Sequence, residues 1–467
     1  MISVSQYFNK NLKNKNTMKG GTERIKSYKL EFFVIVALIL TISFCTLQMI
    51  IQSILPIFTN EFASTYSSFE ISDWLINYEG GFVRRGLIGE ILLLLYNVHS
   101  YDVKLVIHLI CAITILFAFF LVFRVCKKCH ISAIPFLIVY TNCFVPVVRY
   151  RRDFLILILC FYIFLFFTKY LATNKNIHGW IATILITLSI LIHEASFFFT
   201  IPILILIFWF NKNSDVLSRK NKLEKYKKVF FLFFLPIAAM ALSCLMKGTG
   251  GQVASDIWES WMPAFIEYPE RQGIPRIGNG VAFLNHDLMY AIHFHLEENY
   301  HIFSHSLSTC LQRILSVGIA LTATYFIMKY NLRMDLKNKE VYIENRSGIG
   351  IIVLIQFIAM IPMFTILSCD FGRTILYCVV STIFIYYAID VNKISINCQP
   401  IIHKKTFSLD NSIINNRYIL WLYIITVFFY PIRAFGGIEF PIDCFLNKFR
   451  WFVFYPLIEK ISLYFTI

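Results

Sequence analysis

The sequence predicts an all-α protein: a polytopic transmembrane bundle of about 11–12 helices with one large outward-facing loop. Three observations carry that expectation. The chain is 57% hydrophobic and only 15% charged over 467 residues, where a soluble protein carries about 25% charged residues. Its 47 phenylalanines are more than one water-excluding core would hide. The apolar residues also come in runs long enough to cross a bilayer, separated by short basic stretches.

Residues 1–32 form a basic tail. The run at 33–57 has no small-residue cleavage site after it and reads as an uncleaved signal anchor. Further candidate spans follow at 103–123, 131–148, 154–170, 179–192, 195–210, 229–246, 314–330, 349–368, 374–389 and 418–433. A weaker one at 450–467 is interrupted by Glu459 and Lys460. The membrane domain therefore covers 33–433, with outer loops at 58–102 and 247–312, and 434–467 is a C-terminal segment holding the weaker span. Leu87–Val98 is too short to cross and suits a re-entrant or interfacial helix. Within the larger loop, 288–305 has a helical pattern.

Charge sets the expected orientation. With 1–32 in the cytoplasm, the inner segments hold 28 of the 43 Lys and Arg but 9 of the 28 Asp and Glu. Inversion would expose the basic stretch 219–228, against the positive-inside rule. The formal charge of +15 is thus accounted for by topology, and no helix-turn-helix, zinc-finger or RNA-binding signature points to nucleic acid. The cysteines are scattered, mostly inside apolar runs, and read as small hydrophobes.

Against this background the charged exceptions fall on the outer side. Asn77–Glu90 holds Glu79, Arg84, Arg85 and Glu90 among glycines 80, 81, 86 and 89, which permit tight turns and close approach to a ligand. Arg149, Arg151 and Arg152 precede Asp153. A planar guanidinium fork suits phosphate or carboxylate; a helix terminus would explain one or two of these arginines. His193 and Glu194 join two short spans, either as an ionisable functional pair or as a capped turn. Asp370 and Arg373 join two more and are able to pair with each other. Glu297, His301 and His305 share a helical face, for which a solvated polar face is the reading preferred over a metal site. No cofactor is implied.

The motif Glu79–Gly89, the arginines ending at Asp153, His193-Glu194 with Pro202 downstream, and Asp370–Arg373 together resemble multi-spanning proteins of bacterial surface-polysaccharide loci. They are similar to Wzy-type polymerases of O-antigen or capsule and, more distantly, to GT-C glycosyltransferases. The resemblance covers about residues 70–380. It implies an enzyme of the bacterial cytoplasmic (inner) membrane acting on an oligosaccharide carried by undecaprenyl pyrophosphate, alongside a flippase and a chain-length regulator. In that reading Arg84, Arg85, Arg149, Arg151, Arg152, Asp153, Glu194 and Arg373 bind substrate. Glu79 is the first choice of base, with His193 and Asp370 behind it. A single-addition GT-C-like transferase, with an acid such as Asp73 or Glu79 in the first outer loop, and a transporter of lipid-linked anions stay open as alternatives.

Overall fold

The computed structural model describes residues 66–128, 151–211, 222–246, 252–267, 276–305 apart from 287, 354–367, 371–394, 432–434 and 437–439. Their regular structure is helical apart from a short antiparallel hairpin, β1 (Ile432–Ala434) with β2 (Gly437–Glu439), in which Arg433 pairs with Ile438. The expected span at 418–433 therefore ends in a strand. The runs at 33–57, 131–148, 314–330 and 450–467 lie outside the described residues.

The apolar runs form the long helices. They are α3 (Val103–Lys128), α4 (Asp153–Thr173), α5 (Asn176–Ile192), α6 (Ala195–Phe210), α7 (Lys222–Leu245) and, later in the chain after the short α12 (Ile361–Thr365), α13 (Phe371–Val391). Three contain segments long and apolar enough to cross a membrane: Val103–Val122, Asp153–Thr173 and Tyr226–Leu245. Shorter apolar helices include α2 (Gly86–Val98), α5 and α6.

Helix α4 is the hub, packing on α3, α5, α6 and α13, while α5 also carries α2 and α7. Burial follows that arrangement. Two-thirds of α4 is inside (67%), against 22% of the apolar segment of α7, whose Phe230, Phe231 and Phe234 are exposed. An exterior of phenylalanines is stable only where the surroundings are themselves apolar. Several polar groups link the helices. Asn392 donates to Thr168 Oγ1 at 2.7 Å, Thr183 to the Leu232 carbonyl at 3.0 Å, and Gln356 to both the Phe199 carbonyl and Ser381 Oγ.

The two predicted outer loops fold onto each other at one end of these helices. The first supplies α1 (Phe69–Trp74), whose N-cap Ser68 accepts from Ile71 N–H, and the start of α2. The second supplies α8 (Val253–Ser260), α9 (Met262–Glu267), α10 (Asn279–Ala282), a 3₁₀ turn at Phe283–Asn285 and α11 (Leu288–His305). Trp74, Leu75, Trp258, Trp261 and Phe265 form a shared core that includes Val103 and Ile107 of α3. Cross-links between residues 171 to 186 apart in sequence close it. Trp261 Nε1 donates to the Leu75 carbonyl at 2.8 Å, Asn77 to Ser260 Oγ at 2.8 Å, and Tyr96 to Glu267 Oε2 at 2.7 Å. Buried donors left unpaired here would cost about 1–3 kcal/mol each.

The glycines of Asn77–Glu90 serve this packing. A Cβ at Gly80 would stand 2.7 Å from the Val253 carbonyl oxygen, and at Gly89 it would overlap the Ile76 carbonyl. They were expected to admit a ligand to the backbone; they admit another piece of chain instead. Glu90 is structural as well, accepting from Tyr78 N–H at 2.9 Å.

Candidate functional site

Five segments meet where the interlocked loops cover the helix ends. They are the 84–85 turn before α2, Arg151–Asp153 at the start of α4, His193-Glu194 between α5 and α6, the end of α7, and the first turns of α13. Between them and the 279–295 stretch lies a cavity of about 780 Å³, within the usual size of ligand sites.

Arg85 is the pivot. It is the N-cap of α2 and has φ 64, a left-handed conformation uncommon for a residue with a side chain. Contacts at both ends hold it there. Arg152 Nη1 donates to the Arg85 carbonyl at 2.6 Å and to that of Ile192 at 3.1 Å. The Arg85 guanidinium donates through Nε and Nη2 to both oxygens of Glu194, and Nη1 reaches Asp73 at 3.4 Å. Arg152, 1% exposed, lies 3.5 Å from the other Asp73 oxygen and over the Trp74 ring. Burial pushes the Asp73 carboxyl up, but Arg152 and Arg85 together outweigh it and hold it at about 2. Burial acts on Glu194 in the same sense and is likewise overcome, chiefly by Arg85, so Glu194 stays ionised well below the carboxylate range.

A second arrangement adjoins it. Arg373 donates to Asp153 Oδ1 through Nε and Nη2, each at 2.9 Å, and its Nη2 stands 3.2 Å from His193 Nε2. Arginine only donates, so Nε2 is the accepting nitrogen in that contact. Nδ1 lies 3.6 Å from Glu194 Oε2 and 3.2 Å from Ala195 N. Burial, then the charge of Arg85, hold the His193 pKa well below its ordinary value, so the imidazole is neutral at pH 7.

Two further arginines rest on aromatic rings. Arg151 lies over Phe69 at 5.0 Å, and Arg84 over Phe283 at 5.5 Å. Among the described residues no carboxylate pairs with Arg84.

The expected site residues thus divide. Arg84, Arg85, Arg151, His193, Glu194 and Arg373 line the cavity. Arg152 and Asp153, expected to bind substrate, are buried behind it and hold the lining in place. Glu79, the expected base, is exposed and does not line the cavity; the turn at Gly81, φ 93, follows it. Arg149 and Asp370 lie outside the described residues. Among the described residues no three His, Cys, Asp or Glu side chains are grouped to hold a metal ion; the side chains of His301 and His305 are outside them.

Several lining residues carried no signal in the sequence. Phe283, Tyr290 and Tyr377 are lost among 47 phenylalanines and 25 tyrosines. Comparison with protein-family models, with curated proteins and with solved structures finds no match to this chain.

Proposed function

We propose that this chain polymerises undecaprenyl-pyrophosphate-linked oligosaccharide repeat units into surface polysaccharide. It works from the cytoplasmic membrane of a bacterium, with its N-terminus in the cytoplasm and the arginine-lined cavity opening on the outer face. The lining of four arginines (84, 85, 151 and 373) in a cavity that also exposes Met240, Phe198, Met363 and Leu367 carries the reading. Fixed cations suit a pyrophosphate, and the apolar lining suits the isoprenoid attached to it.

The chemistry follows from the side chains. An acceptor hydroxyl attacks the anomeric carbon of the donor sugar, and the carbon–oxygen bond to the pyrophosphate breaks. The electron pair leaves on the pyrophosphate oxygen, whose growing charge is offset by Arg84 and Arg151, with Arg373 beside them. His193 takes the hydroxyl proton at Nε2 as Arg373 turns from it to the leaving group, and then returns the proton to solvent. Neutral His193 is available for this at pH 7; its depressed basicity suffices because the leaving group is already a stable anion. Glu194, fully engaged by Arg85, keeps the turn in position.

The burial of Asp73 under two arginines, away from the cavity lining, weighs against its use as the acid of a single-addition GT-C-like transferase. In a strain lacking the chain, complementation with Arg84→Ala should leave single repeat units on the surface while the protein still reaches the membrane. Normal long-chain polymer would overturn the assignment. Truncated repeat units in the deletion strain would favour the single-addition transferase.

A further inference from the structure

The cavity has two chemically different walls. The arginines come from the helix ends and the first loop. The facing wall comes from the second loop alone and is built of rings. Phe283 is its centre, with edge contacts to His286 at 6.0 Å, Tyr290 at 6.3 Å and Phe294 at 5.7 Å, and a tilted contact to His295 at 6.4 Å. His286 and Tyr290 stack nearly parallel, with centroids 3.9 Å apart and planes at 15°.

This wall is not a core. Tyr290 is 46% exposed and Phe294 37% exposed, and His286 is exposed as well. The large rings of the same loop that do build its core, Trp258, Trp261 and Phe265, are buried. The exposed set also combines ring faces with polar edges, a phenol hydroxyl and imidazole nitrogens. It carries no fixed charge of its own, and its Phe283 ring is the surface on which Arg84 rests.

We infer that the Phe283–His286–Tyr290 wall is a subsite for the uncharged sugar adjoining the pyrophosphate. One face of a pyranose is a patch of C–H bonds bearing slight positive charge, which the negative face of an aromatic ring attracts. Its rim of hydroxyls matches the phenol and imidazole edges. A pyrophosphate held by Arg84 would lead directly onto this wall, because Arg84 and Phe283 are in contact. The division of labour is then anion on arginine, sugar on rings, isoprenoid on the methionine and leucine lining. This inference rests on the proposed function.

Two probes separate them: undecaprenyl pyrophosphate, and the same lipid bearing one N-acetylglucosamine, each bound to the full chain in lipid nanodiscs. Tyr290→Ala should weaken the sugar-bearing lipid about five- to tenfold and leave the bare lipid unchanged; Tyr290→Phe should retain most of the affinity. Arg84→Ala should weaken both. If Tyr290→Ala and His286→Ala leave the sugar-bearing lipid unaffected, or weaken both lipids alike, while Arg84→Ala still weakens both, the sugar subsite is wrong and the proposed function stands. If wild-type chain binds neither lipid, both fall.

Discussion

Arg85 and His193 show how single side chains set the character of the site. Arg85 occupies a strained backbone conformation, held by Arg152 at its carbonyl and by Glu194 and Asp73 at its guanidinium. Strain of this kind persists only where the surroundings over-determine it. The same ion pairs make stability depend on pH. Asp73 and Glu194 have folded pKa values below their ordinary ones, so their stabilisation is complete above about pH 4.5 and is lost as pH falls. For Asp73, the drop from 3.8 to about 2 corresponds to about 2 kcal/mol, lost between about pH 4 and pH 2. His193 acts in the same direction at higher pH. The unfolded chain binds a proton below its ordinary 6.5 that the folded chain refuses, so stability also declines as pH drops below 6.5. The unfolding temperature of the detergent-solubilised chain should therefore fall in two stages on acidification, below about pH 6.5 and again below about pH 4.5. His193→Gln should shrink the first stage and keep the second. A flat wild-type profile between pH 7 and pH 5 would contradict this account of His193.

At the scale of elements, the fit between the start of α2 and the segment before it decides whether the cavity forms. Gly89 faces the Ile76 carbonyl, with the Trp74 carbonyl oxygen 2.9 Å from where a Cβ would stand. Backbone cannot move aside as a side-chain tip can. Gly89→Ala should cost about 1–3 kcal/mol, read as a lower unfolding temperature. Gly179→Ala, where the nearest atom is the flexible Leu232 Cδ2 at 3.1 Å, should be close to neutral; equal effects would refute this view of α2. The helices themselves were legible in the sequence. The run at 195–210 coincides with α6, and 154–170 falls within α4, because charged residues bound both apolar stretches. The helical pattern at 288–305 is α11. Glycine roles were not legible, since composition does not say whether a ligand or Val253 fills the space beside Gly80.

At the scale of the molecule, the site exists because two loops interlock over helix ends and bring together groups remote in sequence. Arg85 meets Glu194 across 109 residues, and Arg373 meets Asp153 across 220. The sequence marked most of these residues as out of place in an apolar chain. It did not show which carboxylate each arginine takes, because pairing depends on how α1, α4 and α13 converge. Nor did it show that Glu79 stands on the exposed side of its loop, away from the cavity lining, while Glu194 faces Arg85. What distinguishes Arg84 is what remains after pairing, a cation on an aromatic ring at the cavity wall. The central claim is that the arginines lining this cavity, Arg84 first among them, bind a lipid pyrophosphate. The most direct test compares undecaprenyl pyrophosphate with undecaprenol for binding to the purified full chain in nanodiscs. The pyrophosphate should bind more tightly, and Arg84→Ala should weaken it by about ten- to a hundredfold without changing the affinity for the neutral lipid. Equal affinity for the two lipids, or a pyrophosphate affinity indifferent to Arg84→Ala, would contradict it.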